Sequence, residues 1–349
     1  MQFQRIGIVG PGAMGLLHAI HMTQAGVPVT LLDHRKSRAR RISGGVALQR
    51  PGTDDAPAET IRVQVPCRAL HLVHDPFDLL IFTVKAFATE RAAQLAAHLI
   101  GPQTVLLSLQ NGLGNVEALQ HFQQPERVLA AVTTSGATLQ DEHTVIERGL
   151  GTISLGSPAG NLALAEEVAA LLTGAGLPAE TAADIWPIIW RKLAINCAIN
   201  PLTAMLDIEN GLLLEAPVRH LMGEVAFEVG QVARAVGVRI EPRELPRAVE
   251  AVCRLTAQNV SSMLQDTRAW RQTEVRQLNG AVVRAAEQVG MKAPLNMALA
   301  ALLQAHEWRR EAEQQERERV REARRSHRAH RAVRAGKPAV QSQSQETDA

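Results

Sequence analysis

Tyrosine is absent from this sequence, and aromatics make up only 3% of it. That scarcity removes the stacking platforms on which single-strand nucleic-acid binders depend. It also excludes any Ser-Tyr-x-x-x-Lys proton-donor arrangement. The three cysteines, Cys67, Cys197 and Cys253, lie far apart and have no paired spacing. This argues against a disulfide scaffold or a zinc site, so no metal is expected, and it suits a reducing compartment. No run of about 18 apolar residues is free of charge, so no membrane span is expected. The opening residues MQFQRIGIVGPGAMG lack the basic region and cleavable apolar segment of a signal peptide. Net charge is small as well, +2 over 349 residues. It is unevenly placed: positions 306–337 carry eleven Arg/Lys and six Asp/Glu, net +5, and the last twelve residues carry −2, which leaves residues 1–305 at −1. The body therefore offers no electrostatic case for nucleic acid. The expectation is a cytoplasmic, globular protein without nucleic-acid or membrane partners. A hydrophobic content of 46% supports a large core, and the length suits two domains.

What the chain does have begins at once. Residues 5–9 read as a buried strand, followed by Gly10-Pro11-Gly12-Ala13-Met14-Gly15 and an apolar helix to about Ala25, with Gly26 as its C-terminal glycine. A second strand, 29–32, ends at Asp33-His34-Arg35. Strand, glycine turn, helix and strand within about 30 residues is the context that gives a G-x-G-x-x-G meaning. Gly10 permits the tight turn, Gly12 lets backbone approach a pyrophosphate, and Gly15 lets helix and strand pack closely. Phosphates then sit on the free N–H groups of the helix start. A glycine turn with no ligand is the alternative.

Residues 43–65 form a Gly/Pro/Asp-rich loop with short strands. Further strands are predicted at 79–84, 104–109 and 128–134, with helices at 89–99 and 162–175 and a hairpin over 145–155 around Gly149–Gly151. This alternation means an α/β domain, a Rossmann-like doubly wound parallel sheet. Ligands of such sheets bind at the carboxyl ends of the strands, where Arg35, Lys85, Asn111 and Ala137 fall. From Asp184 strand signals nearly vanish, and 186–204, 216–236, 244–265, 268–290 and 294–308 read as helices. The expected organisation is a nucleotide-binding domain over 1–180, an all-α helical domain over 181–313 and a charged tail over 314–349. Within that tail 311–334 is Arg/Glu-rich, which reads as a solvated, partly helical extension, with a nucleic-acid or partner contact as the alternative. Residues 336–349 are Gly/Pro/Gln/Ser-rich and read as disordered.

The segment 186–200, WPIIWRKLAINCAIN, places Lys192, Asn196 and Asn200 four residues apart. On a helix that spacing aligns them on one face, about 6 Å from one to the next. The other faces are apolar, so the helix is expected to be buried, ending at Asn200 because Pro201 disfavours helical backbone before it. An ammonium and two amides in such a place cost free energy unless they meet partners or a polar ligand. They are either core groups satisfied by backbone or one wall of a site. Nicotinamide chemistry needs a group to protonate the developing alkoxide, and Lys192 is the best candidate, because burial lowers the pKa of an amine. Ser262 and Glu274 lie twelve apart in the segment 259–279, so a break near Thr267 is needed for both to reach one cleft. Otherwise Glu274 is a surface carboxylate paired with Arg271 or Arg276.

Six blocks carry a resemblance: GPGAMG at 10–15, TVKAF at 83–87, QNGLGN at 110–115, WRKLAINCAINPLTA at 190–204, ENG at 209–211 and NVSSMLQDTRAWRQTEVRQLNGAVVRAA at 259–286. Together they resemble the ketopantoate reductase (2-dehydropantoate 2-reductase) family over about residues 5–310. The resemblance implies NADPH-dependent reduction of ketopantoate to pantoate in pantothenate and coenzyme A biosynthesis, with another branched 2-oxo acid, or a non-catalytic NADPH-binding regulator, as alternatives. It implies Lys192 as general acid, and Asn196, Asn200, Asn210 and Ser262 on the substrate. It places Glu274 at the cofactor ribose and substrate end of the cleft, Asn111 on nicotinamide and substrate, and Lys85 and Ala137 along the cofactor. One departure stands out. The family usually has Arg at the position held here by His34. Arg35 and His34 favour a 2′-phosphate, whereas an inward Asp33 would accept the 2′-hydroxyl of NADH and repel that phosphate. The tail beyond about residue 313 has no counterpart in the family pattern. A homodimer is a possible assembly.

Overall fold

The computed structural model describes residues 3–52 and 57–334. Two compact units result, 1–300 and 301–349. The first begins with β1 (Ile6–Val9), α1 (Ala13–Gln24), β2 (Val29–Asp33), α2 (Lys36–Ser43), β3 (Val46–Arg50), β4 (Glu59–Val63) and β5 (Cys67–Ala69). It continues with β6 (Leu79–Phe82), α3 (Thr89–Ala96), β7 (Val105–Ser108), α4 (Asn115–Gln120) and β8 (Val128–Thr133). Then come β9 (Gly136–Leu139), β10 (Thr144–Gly149), β11 (Ile153–Gly156), α5 (Leu162–Gly174) and β12 (Ala179–Thr181).

Eight strands form one sheet in the order β12-β11-β8-β7-β6-β1-β2-β5. Pairing is parallel from β5 through β8, and β11 joins β8 antiparallel. The central strands IGIV, LLIF and VLLS are buried at every position, as a sheet covered on both faces requires. Apolar clusters lie on both sides. One joins Ile6, Ile8, Leu31 and Leu107 to α1 and α5, and the other joins Val9, Leu80, Phe82 and Leu106 to α3 and α4. Strand order reverses between β1 and β6, which makes the gap beyond their carboxyl ends the crevice where ligands of open α/β sheets bind.

A second sheet, β4-β3-β10-β9, replaces the hairpin expected at 145–155. The hairpin is instead β9 with β10, and after Gly149–Gly151 the chain crosses into the large sheet as β11. The crossing is pinned by Ser135: its Oγ accepts from Gly151 N at 3.0 Å, and Thr134 N donates to Thr152 O at 3.0 Å. Periodicity in the sequence marks both strands but not which sheet each joins.

The helical half follows as α6 (Trp186–Leu206), α7 (Val218–Ala235), α8 (Leu245–Leu255), α9 (Ser262–Arg268), α10 (Asn279–Gln288) and α11 (Pro294–Arg334). Two expected helices, 244–265 and 268–290, are each shorter, with breaks at 256–261 and 269–278. The last helix, expected over 294–308, continues through Arg334, as the partly helical extension expected over 311–334 allows; the disorder expected over 336–349 lies outside the described residues.

The end expected at Asn200 is also corrected, since α6 runs on through Pro201 to Leu206. Proline removes the N–H that would serve the Cys197 carbonyl. The buried Asn279 supplies the missing donor, its Nδ2 lying 3.0 Å from Cys197 O and 2.9 Å from Asn296 Oδ1. Asn296 in turn donates to Glu228 Oε1 at 2.8 Å. Asn279→Ala leaves that carbonyl unpaired in the core, and is expected to lower unfolding free energy by about 1–3 kcal/mol. Urea unfolding measures it; a loss below about 0.5 kcal/mol would show that the proline gap needs no side-chain repair.

Candidate active site

The glycine loop sits between the ends of β1 and β6. Gly10 has φ +100°, a conformation that a side chain resists. A Cβ on Gly15 would collide with the Gly10 carbonyl, so the start of α1 is drawn tight against the loop. A Cβ on Gly12 would meet nothing within 4 Å. The loop is therefore closely packed beneath and open above. Pro11, Ala13 and Met14 complete it, and the first-turn amides of α1 have no earlier helical carbonyl to serve. Such a cradle fits a pyrophosphate.

At the end of β2, Asp33 points inward, with its side chain 1% exposed, and its oxygens are engaged. Oδ2 accepts from Arg38 Nη1 at 2.7 Å and Oδ1 accepts from Arg35 N at 2.7 Å. Arg38 Nη2 donates to Pro11 O at 2.6 Å. His34 and Arg35 are the exposed side chains here, at 64% and 51%.

Beyond β6, Lys85 and Ala86 meet the irregular segment between α9 and α10. Lys85 Nζ lies 2.6 Å from Asp266 Oδ2 and 3.6 Å from Glu274 Oε2. Glu274 Oε1 accepts from Ala86 N at 2.8 Å. Arg271 Nε reaches the other oxygen of Asp266 at 2.9 Å. Burial works against the charge on Lys85, but Glu274 and Asp266 outweigh it and hold its pKa above the ordinary lysine value. Glu274 is buried, so its pairing with Arg271 or Arg276 at the surface is ruled out. The break after Arg268 makes this possible, about where a bend was required.

A cleft opens beside this cluster, lined by Ser108, Gln110, Asn111, Trp186, Lys192 and Asn196 among others. The Asn111-Gly112 turn is held to the 269–278 segment by Leu113 N, which donates to Gln277 O at 3.2 Å. Lys192 enters from α6 and donates from Nζ to Thr133 O, at the end of β8, at 2.7 Å. Burial lowers its pKa from 10.5 to about 8, and the negative charge of Glu274 limits the fall. An amine in that range exchanges protons near neutral pH, at the edge of the cleft.

The polar row is split by depth. Lys192 and Asn196 line the cleft, while Asn200 is buried one turn further along α6. Asn210 is buried too, its Nδ2 donating to Thr256 Oγ1 at 2.9 Å, and its Oδ1 has no partner. Ser262 is exposed at the start of α9, and neither residue lines the cleft. Ser261 is the inward serine, capping α9 and meeting Thr203 Oγ1 at 2.7 Å. Ala137 is half-buried on β9. Sequence reasoning missed Asp266, Arg38 and Asn279. Asp266 lies inside the block that resembles the family, and Arg38 is five residues past Asp33, which were the available signals. No cluster of three or more metal-ligating side chains occurs among the described residues. No described helix is long and apolar enough to cross a membrane.

Residues 6–160 match the family model described as ketopantoate reductase PanE/ApbA, and residues 184–307 match ketopantoate reductase PanE/ApbA C terminal. The 2-dehydropantoate 2-reductase of Vibrio cholerae serotype O1 is 35% identical over 294 residues, covering 84% of this chain and 95% of that protein. Among solved structures, the ternary structure of D-mandelate dehydrogenase with NADH and anilino(oxo)acetate superposes with TM-score 0.82 at 26% identity, covering 88% of this chain and 99% of that one. The PanE/ApbA family ketopantoate reductase from Ralstonia eutropha JMP134 gives TM-score 0.78 at 27% identity, covering 88% and 99%.

A lysine whose folded pKa is depressed binds its proton more weakly folded than unfolded. Stability is then reduced below about pH 8, recovers between about 8 and 10.5, and is unaffected above. Lys192→Met removes the desolvated charge, so the variant is expected to be more stable than the parent by about 1–3 kcal/mol at pH 7. The gap should narrow as pH rises towards 10. Denaturant unfolding at pH 7 and 10 measures it; a variant less stable than the parent at pH 7 would mean that the ammonium contributes net stability to the fold.

Proposed function

The chain belongs to the ketopantoate reductase family, and on that premise we propose that it reduces ketopantoate to pantoate with NADPH, in pantothenate and coenzyme A biosynthesis. The observation that carries the reading is Lys192, a desolvated amine with a pKa of about 8 at the edge of a cleft that also holds Asn111 and Asn196. When bound, the reduced nicotinamide supplies a hydride to the carbonyl carbon. The glycine loop, residues 10–15, is read as holding the pyrophosphate, with Lys85, Asn111, Ala137 and Glu274 along the rest of the cofactor. The ammonium of Lys192 gives a proton to the carbonyl oxygen as negative charge builds there, and its charge stabilises that oxygen beforehand. Asn196 and Asn111 orient the substrate, and Asn200, Asn210 and Ser262 are assigned to its carboxylate and hydroxyl groups. The unpaired, buried Oδ1 of Asn210 supports a polar ligand or water on that side. The substrate is taken to lie between the nucleotide-binding and helical parts, which close around it.

Preference for NADPH over NADH is supported by the exposed His34 and Arg35 and by the engagement of both Asp33 oxygens. The nucleotide-binding part is taken as 1–180 and the substrate-binding part as 181–313. Cytoplasmic residence is supported by three buried, unpaired cysteines, and a homodimer remains the working assembly. A second reading, reduction of a different 2-oxo acid, is favoured by the likeness to a structure carrying anilino(oxo)acetate.

Oxidation of NADPH by the purified chain, with ketopantoate and with a panel of other 2-oxo acids, tests the activity. Ketopantoate is expected to give the highest kcat/KM; turnover of none of the acids would refute the reading. The acid form of Lys192 is the protonated one, so kcat/KM is expected to fall about tenfold per pH unit above about 8. Lys192→Met should lower kcat at least about a hundredfold and abolish that falling limb. Near-normal turnover would remove Lys192 from the role.

A further inference from the structure

The end of β2 is where an acidic side chain accepts the ribose 2′-hydroxyl of NADH in doubly wound nucleotide folds. This chain has an acid there, Asp33, and by that rule should favour NADH. The geometry around it says otherwise, and the difference comes from one side chain. Arg38, on the first turn of α2, is itself 8% exposed. Its guanidinium spans two elements, with Nη1 2.7 Å from Asp33 Oδ2 and Nη2 2.6 Å from the Pro11 carbonyl of the glycine loop. The second carboxylate oxygen is filled by Arg35 N at 2.7 Å, with Arg35 Nε at 3.6 Å and His34 Nδ1 at 3.5 Å beside it. Only a planar, forked cation serves two acceptors in this way; an ammonium on a shorter reach does not.

We propose that Arg38 is the specificity-determining residue for the cofactor: by neutralising Asp33 and tying it to the glycine loop, it withdraws the carboxylate from the ribose and leaves that end to His34 and Arg35. The proposal rests on the NADPH-dependent reading above. Arg38 is a positioning residue, acting through Asp33, and the charge it cancels is the one that would repel a 2′-phosphate. Pinning Pro11 also couples the ribose end to the pyrophosphate cradle, because the same guanidinium holds both. A carboxylate freed from Arg38 has an open acceptor for the 2′-hydroxyl and an uncompensated charge facing the phosphate.

The test measures kcat/KM with NADPH and with NADH, together with binding of each reduced cofactor by its fluorescence, in the full chain and three variants. The parent is expected to prefer NADPH. Arg38→Met should lower the NADPH-to-NADH ratio at least about tenfold, the size of one unscreened like-charge contact near a surface. Adding Asp33→Asn to Arg38→Met should return the ratio to within about threefold of the parent, since the offending charge is gone. Asp33→Asn alone should leave the ratio within about threefold, because the carboxylate is already silent. This single variant keeps the question answerable if Arg38→Met does not fold. Equal loss of both cofactors in Arg38→Met with no return in the double variant would overturn the proposal, as would a tenfold or larger gain in NADPH preference in Asp33→Asn. A parent that binds neither cofactor would refute the underlying enzymatic reading instead, and one that prefers NADH would refute its NADPH part.

Discussion

The hydrogen bond from the Lys192 ammonium to the Thr133 carbonyl, at 2.7 Å, is where the proton-donating helix meets the large sheet. Thr133 ends β8 of the large sheet, and Lys192 stands on α6 of the helical half. The carbonyl partly satisfies a charge that burial disfavours, but it is a neutral acceptor, and the amine stays with a pKa of about 8. That unresolved desolvation is a cost the fold carries. It makes sense if the amine has work to do in the cleft, because an acid poised near neutral pH transfers protons more readily than one at the ordinary lysine value.

The rest of the site is arranged so that α6 can be both buried and polar. Pro201 would end the helix if the Cys197 carbonyl were abandoned, and Asn279 prevents that. The Asn279–Asn296–Glu228 chain fixes the part of α6 that presents Asn196 and Asn200. After β6, Lys85 and Ala86 are tied to Asp266 on α9 and to Glu274 in the segment between α9 and α10. Glu274 serves twice, accepting from Ala86 N and raising the pKa of both lysines. The site is thus a set of charges that hold one another in position across two halves of one compact unit.

Much of this was legible beforehand. The glycine loop, the parallel strands and the polar face of α6 follow from local spacing, because each is a short-range pattern with one period. What sequence could not show were partners distant along the chain. Asn279 repairs a helix from 82 residues away. Lys85 meets Asp266 across 181, and no period links them. The placing of β10 and β11 in different sheets leaves no local mark, because two short strands around Gly149–Gly151 look the same in a hairpin and in a crossing. Asn210 is marked only by resemblance, Ser262 by spacing as well, and neither lines the cleft. By residue type alone Asp33 is an ambiguous signal for the cofactor, and Arg38 supplies the context that type lacks.

The chemistry turns on whether the amine of Lys192 reaches the oxygen that is reduced. A crystal structure of the full chain with NADP⁺ and pantoate locates both atoms. Lys192 Nζ is expected within about 3 Å of the pantoate 2-hydroxyl oxygen, on the side of the cleft that holds Asn111 and Asn196. A 2-hydroxyl bound elsewhere, with Lys192 still donating to Thr133 O alone, would contradict it.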